Sequence, residues 1–335
     1  MKQTILVTGA GGYIGSVATY VFLQNGYKVI AVDNFTTGYK QPLKELQKKF
    51  GNSMLTVYET DLKKIATVFE KEKHIDVVVH YAASCLVDES VKNPYKYFDN
   101  NVGGTNSLLK AMTDAGVLKL VFSSTCAVYG EAKYMPIDEK HPLNPSQPYG
   151  ASKQMVEELI EWYAQLKKLK YIILRYFNVC GATDDGLIGD SKKPSTLLMQ
   201  NAVRGALNIE PFSLTCPEVN TPDKTPIRDY VNVVDLNEAH LKAIQHLIEG
   251  KQNEIINLGT GTGNSVLEII NKVKDITGAE FLVDKTTPRE GDDEKKVANI
   301  SKAKDVLGWV PNRGIAESVK ALVKWYTAHP HGWDK

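Results

Sequence analysis

Short runs of β-branched and aliphatic residues recur through the first half of the chain, each followed by a longer stretch whose apolar positions return every three or four residues. Thr4-Ile5-Leu6-Val7-Thr8, Lys28-Val29-Ile30-Ala31-Val32, Met54-Leu55-Thr56-Val57-Tyr58, Asp76-Val77-Val78-Val79-His80, Leu118-Lys119-Leu120-Val121-Phe122 and Tyr171-Ile172-Ile173-Leu174-Arg175 read as strands buried on both faces. Between them, Val17 to Gln24, the segment after Asp61-Leu62 to about Glu72, Tyr95 to Ala115 and the stretch running on from Tyr149 read as helices. Strands that alternate with helices predict an α/β fold, a Rossmann-type, doubly wound parallel sheet covered on both faces.

After Asn178 the pattern loosens. Gly181 to Asp190 and Cys216 to Asp223 are rich in Gly, Pro, Asp and Asn and read as loops, with a helix from Leu197 to Ala206 between them. A helix is expected around Asp235 to Ile248, a strand over Ile255 to Leu258, and an amphipathic helix from Ser265 to Thr277, capped near Asn264 or Ser265. The expected organisation is a sheet domain over 1–178 that regains chain near 230–258, with a smaller mixed α/β lobe from 179–229 and 259–335.

The first strand runs straight into Gly9-Ala10-Gly11-Gly12-Tyr13-Ile14-Gly15 and then a helix. Glycines allow a tight turn and close backbone approach, and a helix N-terminus offers N–H donors and a positive dipole end to a pyrophosphate. A glycine-rich turn alone is weak evidence, since a structural turn with a capping Asp has the same look. Here the second strand ends in Asp33, 24 residues after Gly9, where a carboxylate takes adenosine ribose hydroxyls and repels a 2′-phosphate. Strand, loop, helix, strand and acid in register predict dinucleotide binding, with NAD preferred over NADP.

A second cluster is Tyr149-Gly150-Ala151-Ser152-Lys153. On a helix, Tyr149 and Lys153 project from one face about 5–6 Å apart. With 16 Tyr in the chain such pairs also arise by chance, and Tyr129/Lys133 and Tyr163/Lys167 repeat the spacing. Position separates them. Asn144-Pro145-Ser146-Gln147-Pro148 is turn chemistry, so Tyr149 opens a helix, whereas Tyr163 lies fourteen residues further on and Tyr129 falls in a loop. Ser123-Ser124-Thr125 ends the preceding strand, which delivers hydroxyls to the edge where open parallel sheets bind ligands. For the pair alone, a buried Tyr packed beside a solvated Lys is the competing reading.

Composition adds exclusions. A net charge of +1, with acids and bases mixed, leaves no electrostatic footprint for nucleic acid or an anionic membrane. Cys85, Cys126, Cys180 and Cys216 lie far apart without CxxC or Cys/His spacing, which argues against a zinc site or a disulfide framework and for a reducing cytoplasm. No stretch approaches the roughly 18 apolar residues of a membrane span, and the apolar run after Met1 is too short for a signal sequence.

Further motifs stand in order along the chain: Val32-Asp33-Asn34, Asp61-Leu62, His80-Tyr81-Ala82-Ala83, Glu89-Ser90-Val91, Asn100-Asn101-Val102, Val128-Tyr129-Gly130, Arg175-Tyr176-Phe177-Asn178, Arg228-Asp229-Tyr230 and Arg289-Glu290-Gly291-Asp292. With the glycine loop, the Ser-Ser-Thr run and the Tyr149 cluster, they resemble the extended short-chain dehydrogenase/reductase family, and within it the UDP-hexose 4-epimerases, over almost the whole chain. The resemblance implies that Gly9, Gly12 and Gly15 cradle the pyrophosphate of NAD, Asp33 and Asn34 its adenosine ribose, and Asp61 and Leu62 the adenine. Tyr13, Ile14, Ala82, Ala83, Ser123 and Tyr176 would surround the cofactor, and Asn101 would order the site. Tyr149 would be the acid/base, Lys153 would hold the nicotinamide ribose, and Thr125 would hydrogen-bond the sugar 4-oxygen. Asn178, Arg228, Arg289 and Asp292 would contact uridine diphosphate, and Lys296, seven places after Arg289, would lie against the sugar ring.

The implied activity is interconversion of UDP-glucose and UDP-galactose through a transient 4-keto sugar, in a homodimer joined through helices near 95–115 and 150–167, with no metal. Pro194-Ser195-Thr196-Leu197 and Thr215-Cys216-Pro217-Glu218 depart from the family's pattern, which keeps open another UDP-sugar: an N-acetylhexosamine, a uronic acid or a pentose. Dehydratases of this fold carry acidic residues where the chain has Cys126 and Ala127, and decarboxylases usually have a Glu in place of Ala127. A non-catalytic NAD sensor need not retain Thr125, Tyr149 and Lys153 together.

The acid/base role sets an energetic requirement. A phenol has a pKa of about 10, so ionising Tyr149 near neutrality needs roughly 3 units, or about 4 kcal/mol. An exposed ion pair supplies about 0–1 kcal/mol. The Lys153 ammonium therefore has to act in a water-poor pocket, beside the positive nicotinamide ring.

Overall fold

A computed structural model describes residues 3–192, 195–281, 283–285 and 293–333. The chain divides into two compact units, the first comprising Met1–Glu131, Glu139–Arg175 and Ala239–Ile256, the second Ala132–Asp138, Tyr176–Glu238 and Asn257–Lys335.

Strands β1 (Thr4–Thr8), β2 (Lys28–Asp33), β3 (Leu55–Glu59), β4 (Val77–His80), β5 (Lys119–Thr125) and β6 (Lys170–Tyr176) form on the six apolar runs. Further along the chain lie β7 (Asn178–Cys180), β8 (Phe212–Leu214), β9 (Ile227–Asn232), β10 (Glu254–Leu258), β11 (Gly263–Ser265), β12 (Val283–Lys285) and β13 (Lys295–Lys296). The first six and β10 make one sheet in the order β3-β2-β1-β4-β5-β6-β10. Its centre is parallel, with Ile5 of β1 facing Val29 of β2 on one side and Val77 of β4 on the other. Strand order reverses between β1 and β4, so the loops leaving these strands flank the crevice where such sheets take ligands.

The helices are α1 (Tyr13–Gln24), α2 (Gln41–Phe50), α3 (Ala66–Lys71), α4 (Val87–Lys92), α5 (Pro94–Tyr97), α6 (Gly104–Asp114), α7 (Pro148–Lys167), α8 (Leu198–Ala206), α9 (Val233–Ile248), α10 (Val266–Thr277), α11 (Ser301–Leu307) and α12 (Ile315–Ala328). On one face of the sheet Leu6, Ile30, Val78, Leu120, Phe122 and Ile173 pack with Val68, Leu108, Met112, Val156 and Ile160 of α3, α6 and α7. Extended Gln147 and Pro148 in the first turn start α7 where the turn residues predict, because proline loses no helical hydrogen bond there.

Two expectations are corrected. The helix expected over Tyr95 to Ala115 is interrupted, because Phe98–Gly103 winds as a wider π-type turn between α5 and α6. Such turns concentrate at functional sites, and this one carries the buried Asn101. The helix expected after Leu62 begins instead with a 3₁₀ turn, Leu62–Lys64, capped when the Asp61 carboxylate accepts from Lys63 N at 3.0 Å. The pattern also misses α2, which buries Pro42, Leu43 and Leu46 on one face, and β9.

In the second unit β9 is central, antiparallel to β11 and parallel to β7 and β13, while β8 and β12 form a separate parallel pair. α10 opens on a reciprocal cap: Glu268 N donates to Ser265 Oγ at 3.0 Å and Ser265 N to Glu268 Oε2 at 2.8 Å. Among the described residues no helix is long and apolar enough to cross a membrane.

Candidate active site

The glycine loop is shaped by contacts that exclude a side chain. Gly9 has φ 71°, and a Cβ added there would stand 2.6 Å from Ala82 N, while one on Gly15 would stand 2.1 Å from Gly9 O. No side chain caps the N-terminus of α1. Asp33 is half-buried at the end of β2, accepting from Gly11 N at 2.9 Å and Phe35 N at 2.7 Å. Burial pushes its carboxyl up, and the two amides oppose that shift. Asn34 Nδ2 donates to Asp61 Oδ2 at 2.8 Å, and Leu62 lies against Gly104 at the start of α6. The loop, Asp33, Asn34, Asp61, Leu62 and Ala82 are thus drawn to one edge of the sheet, an arrangement that fits a dinucleotide: close backbone approach, a helix N-terminus and carboxylates beyond it.

The proton-transfer candidates come next along that edge. Lys153 is only 4% exposed; its Nζ donates to Ser123 O at 2.7 Å and lies 4.7 Å from the Phe122 ring centre. Burial lowers the Lys153 pKa to about 8, against the raising influence of Cys85 and Glu157, so the side chain is still mostly ammonium at pH 7. Tyr149, one helical turn earlier, is half-buried, and its ring meets Tyr97 edge-on at 6.4 Å. Tyr97 is itself fixed, its hydroxyl donating to Leu86 O at 2.5 Å and Glu89 Oε2 at 2.8 Å. Thr125 ends β5, where its Oγ1 accepts from Ala127 N at 3.2 Å. Asn101 ties the loop after β4 to α7, taking Ser84 N at 2.8 Å and donating to Ser84 O at 3.1 Å and Ser152 Oγ at 3.0 Å.

In the second unit a cavity of about 160 Å³ is lined by Asn178, Leu197, Asn201, Phe212, Leu214 and Arg228, among others. Thr196, Leu197, Thr215 and Cys216, from the two stretches that depart from the family's pattern, line it as well. Arg228 is followed by buried Asp229, whose carboxylate gathers Thr260 N and Oγ1, both at 2.7 Å, Gly261 N at 3.0 Å and Ala298 N at 3.2 Å. Lys296 of β13 pairs in register with Arg228, and its ammonium forms an ion pair with Asp293. Arg289, Asp292 and Pro194 lie outside the described residues.

Sequence reading misses two buried clusters. His80 bridges Thr8 Oγ1 at 2.6 Å and Thr105 Oγ1 at 2.8 Å, linking β1, β4 and α6. Glu157 and Arg175 form a buried ion pair that also holds Ser124 and Tyr129. The signal available for the second is Glu157 itself, four places beyond Lys153 and so on the same helix face. Tyr129, a decoy by spacing, is fully buried with Arg175 as its partner, and Tyr163 donates to Asn106 Oδ1 at 3.1 Å.

Residues 5–259 match the NAD dependent epimerase/dehydratase family. The chain is 40% identical to the UDP-glucose 4-epimerase of Lactobacillus helveticus over 98% of its own length and 99% of that protein. A crystal structure of UDP-glucose 4-epimerase from Bifidobacterium longum in complex with NAD+ and UDP superposes with a TM-score of 0.93 at 34% identity, covering 99% of this chain and 100% of that one. The UDP-Glc/GlcNAc 4-epimerase of Campylobacter jejuni gives 0.83 at 34% identity, covering 97% and 99%.

His80 yields a stability test. Burial, with a smaller push from Lys153, lowers its pKa from 6.5 to about 3. Between those values the unfolded chain binds a proton that the folded chain does not, so stability rises with pH across the window, by about 1.4 kcal/mol per pH unit from this residue. Thermal melts are expected to show Tm falling from about pH 6.5 to about pH 4.5, and His80→Gln to lose that share of the slope. An identical slope in the variant would remove His80 as its source.

Proposed function

Because the chain belongs to the NAD dependent epimerase/dehydratase family, we infer that it interconverts UDP-glucose and UDP-galactose by inverting C4 of the hexose, with NAD as resident cofactor. The observation that carries this reading is full-length similarity to UDP-glucose 4-epimerases in a chain that retains Thr125, Tyr149 and Lys153 together. When bound, NAD takes the C4 hydrogen as hydride and returns it to the other face of the transient 4-keto sugar.

The chain's own residues do the rest. Gly9, Gly12 and Gly15 hold the pyrophosphate at the start of α1, beside Tyr13 and Ile14. Asp33 and Asn34 take the adenosine ribose, and Asp61 and Leu62 the adenine. Ala82, Ala83, Ser123 and Tyr176 complete the cofactor's surroundings, and Asn101 keeps the loop after β4 in place. Tyr149 accepts and returns the proton of the sugar 4-hydroxyl, and Thr125 hydrogen-bonds the same oxygen. The burial of Lys153 supports its role: a unit charge brought within about 5–6 Å of the phenol oxygen would act with about 3 kcal/mol at an effective dielectric constant of about 20. An interaction of that size would cover most of the roughly 4 kcal/mol a neutral-pH phenolate needs. Asn178 and Arg228, on the wall of the second unit's cavity, bind uridine diphosphate, with Arg289 and Asp292 given the same role by resemblance.

Lys296 stands at the sugar. Its ammonium is already matched by Asp293 and is not free to recruit a uronic carboxylate, which supports neutral hexoses as substrates. The subunit is one half of a homodimer. Val91 and Tyr95 on α4 and α5, with Met155, Trp162 and Leu166 on α7, are exposed, Tyr95 by 75%, Trp162 by 59% and Leu166 by 70%. The α7 residues recur at helical spacing, and a second copy would bury that apolar face. The wide spacing of the four cysteines, without CxxC or Cys/His pairing, supports a cytoplasmic location.

Three measurements test this account. Purified protein incubated with UDP-galactose and no added cofactor is expected to invert C4, followed by NMR; Tyr149→Phe is expected to lose roughly a hundred- to ten-thousand-fold in kcat with NAD still bound, and Tyr163→Phe to stay active. An inert wild type, or a dead Tyr163→Phe variant beside an active Tyr149→Phe, would sink the assignment. In kcat/KM, UDP-galactose is expected to exceed its N-acetyl analogue and UDP-galacturonate, with the ratios changed in Lys296→Ala; unchanged ratios would take Lys296 out of the sugar site. Light scattering on the eluting protein is expected to give a dimer for wild type and a monomer for Trp162→Asp/Leu166→Asp, and a dimeric variant would rule out this face.

A further inference from the structure

We propose that the buried Glu157–Arg175 pair, with Ser124 and Tyr129, is a positioning device that fixes Lys153 and Thr125 relative to one another. The proposal rests on the functional reading above. Arg175 meets Glu157 through one edge of the guanidinium in a bidentate pair, Nε to Oε1 at 3.0 Å and Nη2 to Oε2 at 2.5 Å. Ser124 Oγ donates to Glu157 Oε1, and Arg175 Nη1 donates to Tyr129 Oη at 3.2 Å, with the guanidinium 5.1 Å from that ring's centre. Glu157 and Arg175 are each only 3% exposed.

Connectivity gives the cluster its meaning. Glu157 lies one turn beyond Lys153 on α7; Ser124 precedes Thr125 on β5; Tyr129 closes the turn that follows Thr125; Arg175 is carried by β6, the neighbour of β5. A single planar fork therefore joins the helix bearing the Tyr–Lys pair to the strand end bearing the threonine hydroxyl. Stability alone is a poor explanation for it. Apolar residues of similar volume commonly fill such a place at no loss, because desolvating two charges offsets their attraction. A bidentate pair offers defined distances and angles instead, which packing of aliphatic chains does not.

Glu157 also acts on Lys153 through its charge. Around the ammonium stand the Ser123 carbonyl and Phe122 ring of β5, His80 of β4, Cys85 in the loop after β4, Tyr149 one turn back and Glu157 one turn on. Loss of the Glu157 carboxylate favours the neutral amine of Lys153 and so disfavours the phenolate of Tyr149.

The test uses NAD-loaded full-length protein: wild type, Ser124→Ala, which leaves the ion pair intact, and Glu157→Gln/Arg175→Met, which removes both charges without stranding either. Wild-type inversion of UDP-galactose, run in parallel, reports on the functional reading by itself. Both variants are expected to keep their NAD and a wild-type Tm within a few degrees, to hold KM within about threefold, and to lose between about ten- and a hundredfold in kcat, the scale of ångström-level misplacement. Phenolate absorbance, taken as the difference from each protein's Tyr149→Phe counterpart, is expected to show Tyr149 ionising at higher pH in the double variant. This titration needs no turnover and decides the proposal even for an inactive protein. Folded variants with wild-type kcat and wild-type ionisation would overturn it, as would a loss confined to KM. If the double variant does not fold, Ser124→Ala decides by its kcat.

Discussion

Withdrawing an ammonium group from water is the constraint on which the first unit's working edge depends. Lys153 loses nearly all contact with solvent and must find fixed oxygen instead, which the Ser123 carbonyl supplies near the end of β5. That bond is possible only if α7 enters at a set height against the strand, and the surroundings hold it there. Asn101, presented by a π-type turn, fastens Ser152 to the loop after β4. His80 and Thr105 secure the helix that continues from that turn. The bonds of Lys153 to Ser123, Asn101 to Ser152 and His80 to Thr105 are buried, so they are satisfied by protein and cannot be exchanged for water at little cost.

What the chain makes legible is what is local in it. The glycine loop, Asp33 and the Tyr149–Lys153 pair declare themselves because their spacing is that of one turn, one helix or one βαβ unit. Contacts that join distant stretches leave no such trace: Thr8 and His80 are 72 residues apart, and Ser124 and Glu157 are 33 apart. The π-type turn is hidden for another reason, since Phe98–Gly103 keeps a helical distribution of apolar residues while its hydrogen bonds widen. β9 is obscured because Arg228 and Asp229 break the apolar run, and only the folded chain shows Asp229 buried among backbone N–H donors.

The second unit distributes its constraints differently. Asp229 clamps the Thr260–Gly261 turn and Ala298 to β9, so that a buried carboxylate adds to the ladders with β7, β11 and β13 in holding the strand that carries Arg228. Thr196, Leu197, Thr215 and Cys216, which also line the cavity, come from loop and loop-edge positions, where sequence can vary without disturbing a sheet.

Asp33 carries an implication for redesign. Its two oxygens already hold the amides of Gly11 and Phe35, and Phe35 sits at φ 54°, a conformation that the carboxylate helps to impose. Replacing the acid with a small neutral residue, the usual first step in converting a protein to a phosphorylated dinucleotide, would remove a repulsive charge and dismantle two loops at once. With the proposed role of Asp33, cofactor preference is coupled to loop architecture, and a successful exchange would have to bring new acceptors for those amides along with the new cation.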